Sequence, residues 1–146
     1  MNFAAVMRVG SLEIVGALVV FGIIAQRLPR GAGRAAPEAL SVRLAVREGA
    51  LRAPVREVAL EVAEGEPVLV GRSSGAAVDL KDPEVSRRHA RLELARGVLY
   101  ISDLGSSNGT FLNGKPLGDG GIELRVGDDI DVGNTRITVT STVPVP

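Results

Sequence analysis

No cysteine occurs anywhere in the chain, which removes disulfides, zinc–thiolate sites and thiol catalysis together and is compatible with a reducing compartment. No threonine occurs before Thr110, and there is one histidine, His89. A net charge is also missing, since 17 Lys and Arg balance 17 Asp and Glu over 146 residues. That balance is unevenly spread. Ahead of Ala35 stand Arg8, Arg27, Arg30 and Arg34 against Glu13 alone, leaving 13 basic and 16 acidic residues in the remainder. A mildly acidic body argues against a general grip on nucleic acid. The length suits one ordinary domain with an appended segment.

What is present at the N-terminal end differs from everything after it. From Ile14 to Ala25 the run IVGALVVFGIIA carries no charge. With Leu12, Gln26 and Leu28 it makes a helical segment somewhat shorter than the roughly 20 apolar residues a bilayer span prefers. A secretory signal would place basic residues before the run and a small-residue cleavage site after it, whereas here Arg27, Arg30 and Arg34 follow. The positive-inside bias then puts the C-terminal body in the cytoplasm, with a single-pass anchor in the cell membrane. A buried or interfacial helix is the competing reading, because Glu13 heads the run. The expected division is an anchor helix over 1–28, a linker over 29–40 from its Gly, Pro and small residues, a domain over 41–143 and a tail over 144–146.

Beyond the linker no stretch sustains helical spacing. SVRLAVRE from Ser41 and VREVALEV from Val55 alternate apolar with polar residues, as half-buried strands do. EPVLVGR, HARLELA, GVLYISDL, GTFLNG, IELRV, DDIDVG and TRITVTS follow as further short strands. Turn signals separate them, among them Asn113-Gly114 and the Gly118–Gly121 cluster. Many short strands without helices between them predict an all-β sandwich whose function lies in its loops.

Three loop segments stand out: VGRSS around Arg72, VSRRHARL around Ser86, and DLGSSNGTFLNG around Asn108. In this order and spacing, each between strands, they resemble the forkhead-associated (FHA) domain, a β-sandwich that binds phosphothreonine peptides. The resemblance covers roughly Val42 to Thr142, and with the anchor ahead of it the chain is similar to small bacterial signalling proteins that read the output of Ser/Thr kinases. The fold so implied is an FHA-type β-sandwich of two antiparallel sheets, preceded by one apolar transmembrane helix.

The resemblance implies that Arg72 and Ser86 contact the phosphate with help from Arg87, and that Ser107 and Asn108 touch the peptide beside the phosphothreonine. Gly71, His89 and Gly109 would support the site. The chemistry of these side chains agrees, since a phosphate needs cationic donors and hydroxyls converging from several loops. Asn108 can both donate to and accept from an extended peptide backbone. Arg88, next to Arg87 on extended chain, is expected to face the other way as a solvated charge. His89 beside Ser86 invites a catalytic reading, but that would need an orienting acid and an electrophile pocket, which the motif does not supply. The resemblance makes His89 structural. Glu84, two residues before Ser86, is a candidate specificity residue favouring a basic side chain on the peptide.

Asp128, Asp129 and Asp131 lack the ligand spacing of a calcium loop and read as solvated turn carboxylates. No cofactor, metal or small-molecule substrate is expected, and no enzymatic activity. With no threonine ahead of Thr110, the phosphothreonine has to come from another protein, a kinase or its substrate, or from an exposed tail around Thr140 and Thr142 in a second copy. The expected function is therefore an adaptor that docks a threonine-phosphorylated partner at the cytoplasmic face of the membrane. The rival is a structural assembly module that works without phosphate.

Overall fold

The computed structural model describes residues 35–146, and the apolar run expected to form the membrane helix lies outside them. Among the described residues no helix is long and apolar enough to cross a membrane, and every regular element is a strand. In chain order these are β1 (Ala39–Glu48), β2 (Val55–Ala63), β3 (Val68–Gly71), β4 (Val78–Asp79), β5 (Ala90–Ala95) and β6 (Val98–Asp103). Then come β7 (Thr110–Leu112), β8 (Lys115–Pro116), β9 (Ile122–Glu123), β10 (Asp129–Val132) and β11 (Thr135–Pro144). They form a six-stranded sheet in the order β2-β1-β11-β10-β7-β8 and a five-stranded sheet in the order β4-β3-β5-β6-β9.

The alternation read from the sequence is what divides each strand between core and solvent. On β1, Leu40, Val42, Leu44 and Val46 point inward and are at most 6% exposed. They share one core with Val62 of β2, Ile130 and Val132 of β10, and Ile137 and Val139 of β11. The five-stranded sheet contributes Val70, Ala90, Leu92, Leu94, Leu99 and Ile101 to the same cluster. Each large aliphatic side chain so buried stabilises the fold by about 1.5–3 kcal/mol, so the strands are held by their inward rows.

Three expectations need correction. The sheets are not wholly antiparallel: β3 and β4 pair in parallel, Val70 opposite Val78 and Gly71 opposite Asp79. This pair forms because Leu80 donates its N–H to the Gly71 carbonyl at 2.9 Å, folding the segment after Gly71 back alongside β3. IELRV is strand only at Ile122–Glu123, where Tyr100 and Ile101 of β6 supply partners. Finally, Thr140 and Thr142 do not lie in a tail. Both belong to β11, which pairs with β1 as far as Pro144, and Thr140 occupies a bulge opposite Arg43 and Leu44, its hydroxyl donating to the Arg43 carbonyl at 3.1 Å. Presenting either threonine as an extended ligand would require unpairing a central strand. The Asn113-Gly114 turn is as expected: φ is 49° and 80° at the two positions, the left-handed pair that joins β7 to β8 tightly.

Candidate functional site

The site is assembled where β3 ends. Gly71 closes that strand, and a side chain on it would fall on the Arg87 carbonyl, so only glycine lets the β4–β5 loop lie this close. The next residue uses the closeness. The Arg72 N–H donates to the Ser86 carbonyl at 3.0 Å and its Nε donates to the Val85 carbonyl at 3.1 Å. Backbone and side chain of Arg72 are thereby fixed to the loop, while its terminal guanidinium nitrogens have no partner among the described residues.

Ser86 is held from two sides. Its N–H donates to Nδ1 of His89 at 3.1 Å, and its Oγ accepts the N–H of Ser107 at 3.1 Å. Because Oγ accepts from Ser107, its own proton remains free to donate outward. His89 is fully buried. With Nδ1 accepting, its proton sits on Nε2, which donates to the Gly109 carbonyl at 2.9 Å. Its backbone N–H donates to Val70 and its carbonyl accepts from Leu104. His89 thus ties β3, the β4–β5 loop and the β6–β7 loop together. Both ring nitrogens are engaged by backbone and neither meets the Ser86 hydroxyl, so the two residues are not a nucleophile and its base.

The β6–β7 loop has an organiser to which the sequence reading assigned no role. Asp103, the last residue of β6, accepts N–H bonds from Gly105 and Ser106, each at 2.9 Å, and hydroxyl bonds from Ser106 and Thr110, each at 2.6 Å. Gly105 and Gly109 turn the chain with φ of 71° and 78°. Burial pushes the Asp103 carboxyl up, but the four hydrogen bonds together outweigh it and hold the group below its ordinary value. A carboxylate depressed in the folded state adds stability above its unfolded pKa, near 3.9, and that stability is lost as pH falls through the lower folded value. The stability gap between wild type and Asp103→Asn should therefore be full at about pH 7 and shrink below about pH 4. Thermal melts across that range check this, and a gap independent of pH would contradict it. The local signal is an aspartate with Gly and Ser two and three residues on, an Asx-turn pattern.

Asn108 is exposed, yet not free. Its Nδ2 donates to the Glu84 carbonyl at 2.8 Å and to the Glu84 carboxylate at 3.0 Å. The candidate specificity residue and the candidate peptide reader are therefore one linked pair, and Oδ1 of Asn108 has no hydrogen-bond partner among the described residues. Ser107 is exposed beside it. Glu84 is carried by a second organiser, Asp82, whose buried carboxylate accepts from Glu84 N–H at 2.9 Å, Asn134 N–H at 2.7 Å and the Thr135 hydroxyl at 2.9 Å.

Charge completes the picture. Arg56, Lys81, Arg91, Arg125 and Arg136 each pair with a carboxylate. Arg72, Arg87 and Arg88 are exposed and have no ion-pair partner among the described residues, as is true also of Arg43, Arg52, Arg96 and Lys115; what sets Arg72 and Arg87 apart is their place on the loops around Ser86. The structure thus brings Arg72, Ser86, Ser107 and Asn108 together through hydrogen bonds, with Gly71, His89 and Gly109 beneath them. Arg87 follows Ser86 on the same loop. The three acidic residues expected as solvated turn carboxylates are all half-buried, and only Asp128 belongs to a turn, where it accepts from Arg125 N–H and Asn113; Asp129 and Asp131 lie in β10 and accept from Thr138 and Arg136.

A β-sandwich whose loops carry exposed arginines beside a fixed hydroxyl has the donor set that a phosphate needs. The FHA domain family model matches residues 68–133. The chain is 36% identical over 72 residues to the FHA domain-containing protein FhaB of Mycobacterium tuberculosis, covering 49% of this chain and 46% of that protein. It is 39% identical over 67 residues to the glycogen accumulation regulator GarA of Mycolicibacterium smegmatis, covering 46% and 41%. The match thus spans less than half of either relative's length. Among solved structures, the FHA domain of an Arabidopsis thaliana hypothetical protein superposes with a TM-score of 0.61 at 34% identity, covering 80% of this chain and 97% of that one. A domain solved in a study of phosphothreonine-dependent FHA domain interactions gives 0.58 at 32%, covering 72% and 99%. The chain belongs to the FHA domain family.

Proposed function

We propose that this protein is a phosphothreonine-reading adaptor without catalytic activity. Arg72 and Arg87 supply the cationic donors, the Ser86 proton completes the phosphate cradle, and Oδ1 of Asn108 accepts from the backbone of the adjoining peptide. The observation that carries this reading is the Ser107 N–H bond to Ser86 Oγ, which leaves the hydroxyl proton free to donate to a ligand, on loops where Arg72 and Arg87 have no carboxylate partner among the described residues. Hydrogen bonds to a charged group contribute about 1.5–3 kcal/mol each, so a few of them discriminate strongly between phosphorylated and plain threonine. The ligand belongs to another protein, a kinase or a kinase substrate, because Thr110 and Thr135 are buried and Thr138, Thr140 and Thr142 sit in a paired strand.

The apolar run Ile14–Ala25 anchors the module, and the arginines after it keep the domain in the cytoplasm. Tethering raises the effective concentration of membrane-bound partners, so modest peptide affinity suffices. Glu84, linked to Asn108, favours a basic residue close to the phosphothreonine. Carbonate-washed membranes carrying the full-length chain should retain it and capture a phosphothreonine peptide library enriched in Lys and Arg, at least about a hundredfold over the unphosphorylated library. Equal capture of both libraries defeats the phosphate reading, loss of the chain to the wash defeats the anchor, and an enrichment that survives Glu84→Lys removes the role of Glu84.

A further inference from the structure

The outer face of the six-stranded sheet holds a feature that the phosphate site does not use. Arg47 of β1 lies directly opposite Arg136 of β11. Like charges placed so destabilise a sheet. Arg136 is compensated: its Nε and one terminal nitrogen donate to the two Asp131 oxygens at 2.7 and 3.0 Å, and Asp129 lies 3.7 Å away. Arg47 is not. It forms no ion pair among the described residues, and its Nε is closed off from solvent with no acceptor. A buried donor left without a partner is rare and calls for an explanation.

A cavity of about 260 Å³ lies here, lined by Arg47 and Arg136 and by the turns on either side. Gly49 and Leu51 of the β1–β2 turn, and Gly133 and Asn134 of the β10–β11 turn, form its walls. The turns are fixed to each other, since the Gly49 N–H donates to the Asn134 carbonyl at 3.1 Å. The Asn134 side-chain amide has no partner among the described residues, and Leu51 is 88% exposed beside it. With Asp131 committed to Arg136, the walls carry one uncompensated positive charge. A planar guanidinium, an amide and an aliphatic rim match a carboxylate on a short apolar stem.

We propose that this cavity is a second ligand site, specific for a carboxylate. Arg72, Ser86 and Asn108 do not line it, so the proposal stands apart from the phosphate reading. The two places are nevertheless neighbours. Gly133, which lines the cavity, packs so tightly on the β4–β5 loop that an added side-chain carbon would lie 2.9 Å from the Glu84 backbone. A polypeptide bound along that loop reaches the cavity across one turn. The carboxylate is either an acidic side chain of such a partner or a small free anion.

The test is an NMR titration of the isotopically labelled full-length chain in detergent micelles, with a tetraglutamate peptide and with glutarate as separate probes. Saturable shifts are expected at the amides of Gly49, Leu51 and Asn134, with Ser86 and Ser107 unmoved. Arg47→Gln should weaken the binding about tenfold or more, and should leave the melting temperature unchanged or raised, since it removes a like-charge neighbour of Arg136 and a buried N–H without an acceptor. Asn134→Ala, on an exposed turn, provides an independent second variant with a smaller loss. Response to the peptide alone assigns the site to a partner's acidic side chain, and response to both probes assigns it to carboxylates generally. No saturable shift, shifts centred on Ser86 and Ser107, or binding that neither variant weakens would overturn the proposal.

Discussion

Arg72→Ala is expected to weaken phosphothreonine-peptide binding by between about thirtyfold and several thousandfold, with the fold intact. Truncating one partner of a hydrogen-bonded charge pair costs about 2–5 kcal/mol, and each 1.4 kcal/mol is tenfold. The loss falls on binding because of how Arg72 is held. Its backbone N–H, which ties the end of β3 to Ser86, survives the substitution, and the side chain gives the fold only the Nε bond to Val85. That single neutral-acceptor bond contributes roughly 0.5–1.5 kcal/mol to stability. Arg72→Lys should retain part of the affinity, keeping the charge but losing both the planar fork and the Nε anchor that aims it. Calorimetric titration with one phosphopeptide measures all three proteins. If Arg72→Ala bound within about threefold of wild type, Arg72 would be a surface charge and the site would have to be sought elsewhere.

The same comparison of backbone with side chain explains which parts of the molecule were legible beforehand. Strands β1 and β2 can be read because every second residue from Leu40 to Val46 and from Val58 to Val62 is apolar and turned toward the core, where Val58 and Leu60 are half-buried and the others buried. The two-residue strands β4 and β8 have no room for a period, and the parallel pairing of β3 with β4 rests on a backbone bond from Leu80 to Gly71 that no side chain announces. At the site, Gly71, Arg72, Ser86, His89 and Asn108 are marked by the resemblance to the FHA domain that their three segments carry. Their mutual bonds are not, because Ser107 meets Ser86 across 21 positions and Asn108 meets Glu84 across 24.

Asp82 and Asp103 show where such reading stops. Each is a carboxylate whose work is to collect donors from its own loop, and for Asp82 also from the β10–β11 turn 52 residues away. A sequence shows the short-range half of this, as Asp-Pro or Asp-Leu-Gly-Ser, and hides the long-range half. The consequence is functional. The loops that would touch a ligand are each cross-linked before it arrives, which lowers the ordering cost that binding would otherwise incur.

His89→Ala carries the largest expected effect on stability. The imidazole is fully buried, and its removal strips a partner from the Ser86 N–H and from the Gly109 carbonyl at once. An unsatisfied buried polar group costs about 1–3 kcal/mol, and the vacated ring volume adds a cavity term, so the total is on the order of 3–5 kcal/mol. For a domain of this size that lowers the melting temperature by about 10 °C or more. Ser86→Ala should behave in the opposite way, losing phosphopeptide affinity while its melt stays near wild type, because the Ser107 N–H it releases belongs to an exposed residue. His89→Asn keeps one acceptor for the Ser86 N–H but is too short to reach Gly109 as well, so it should fall between wild type and alanine. Thermal melts and peptide titrations on the three variants separate two roles for neighbouring residues. A His89→Ala protein that melted like wild type yet bound nothing would make the histidine a ligand contact, and the division of labour between Ser86 and His89 would be refuted.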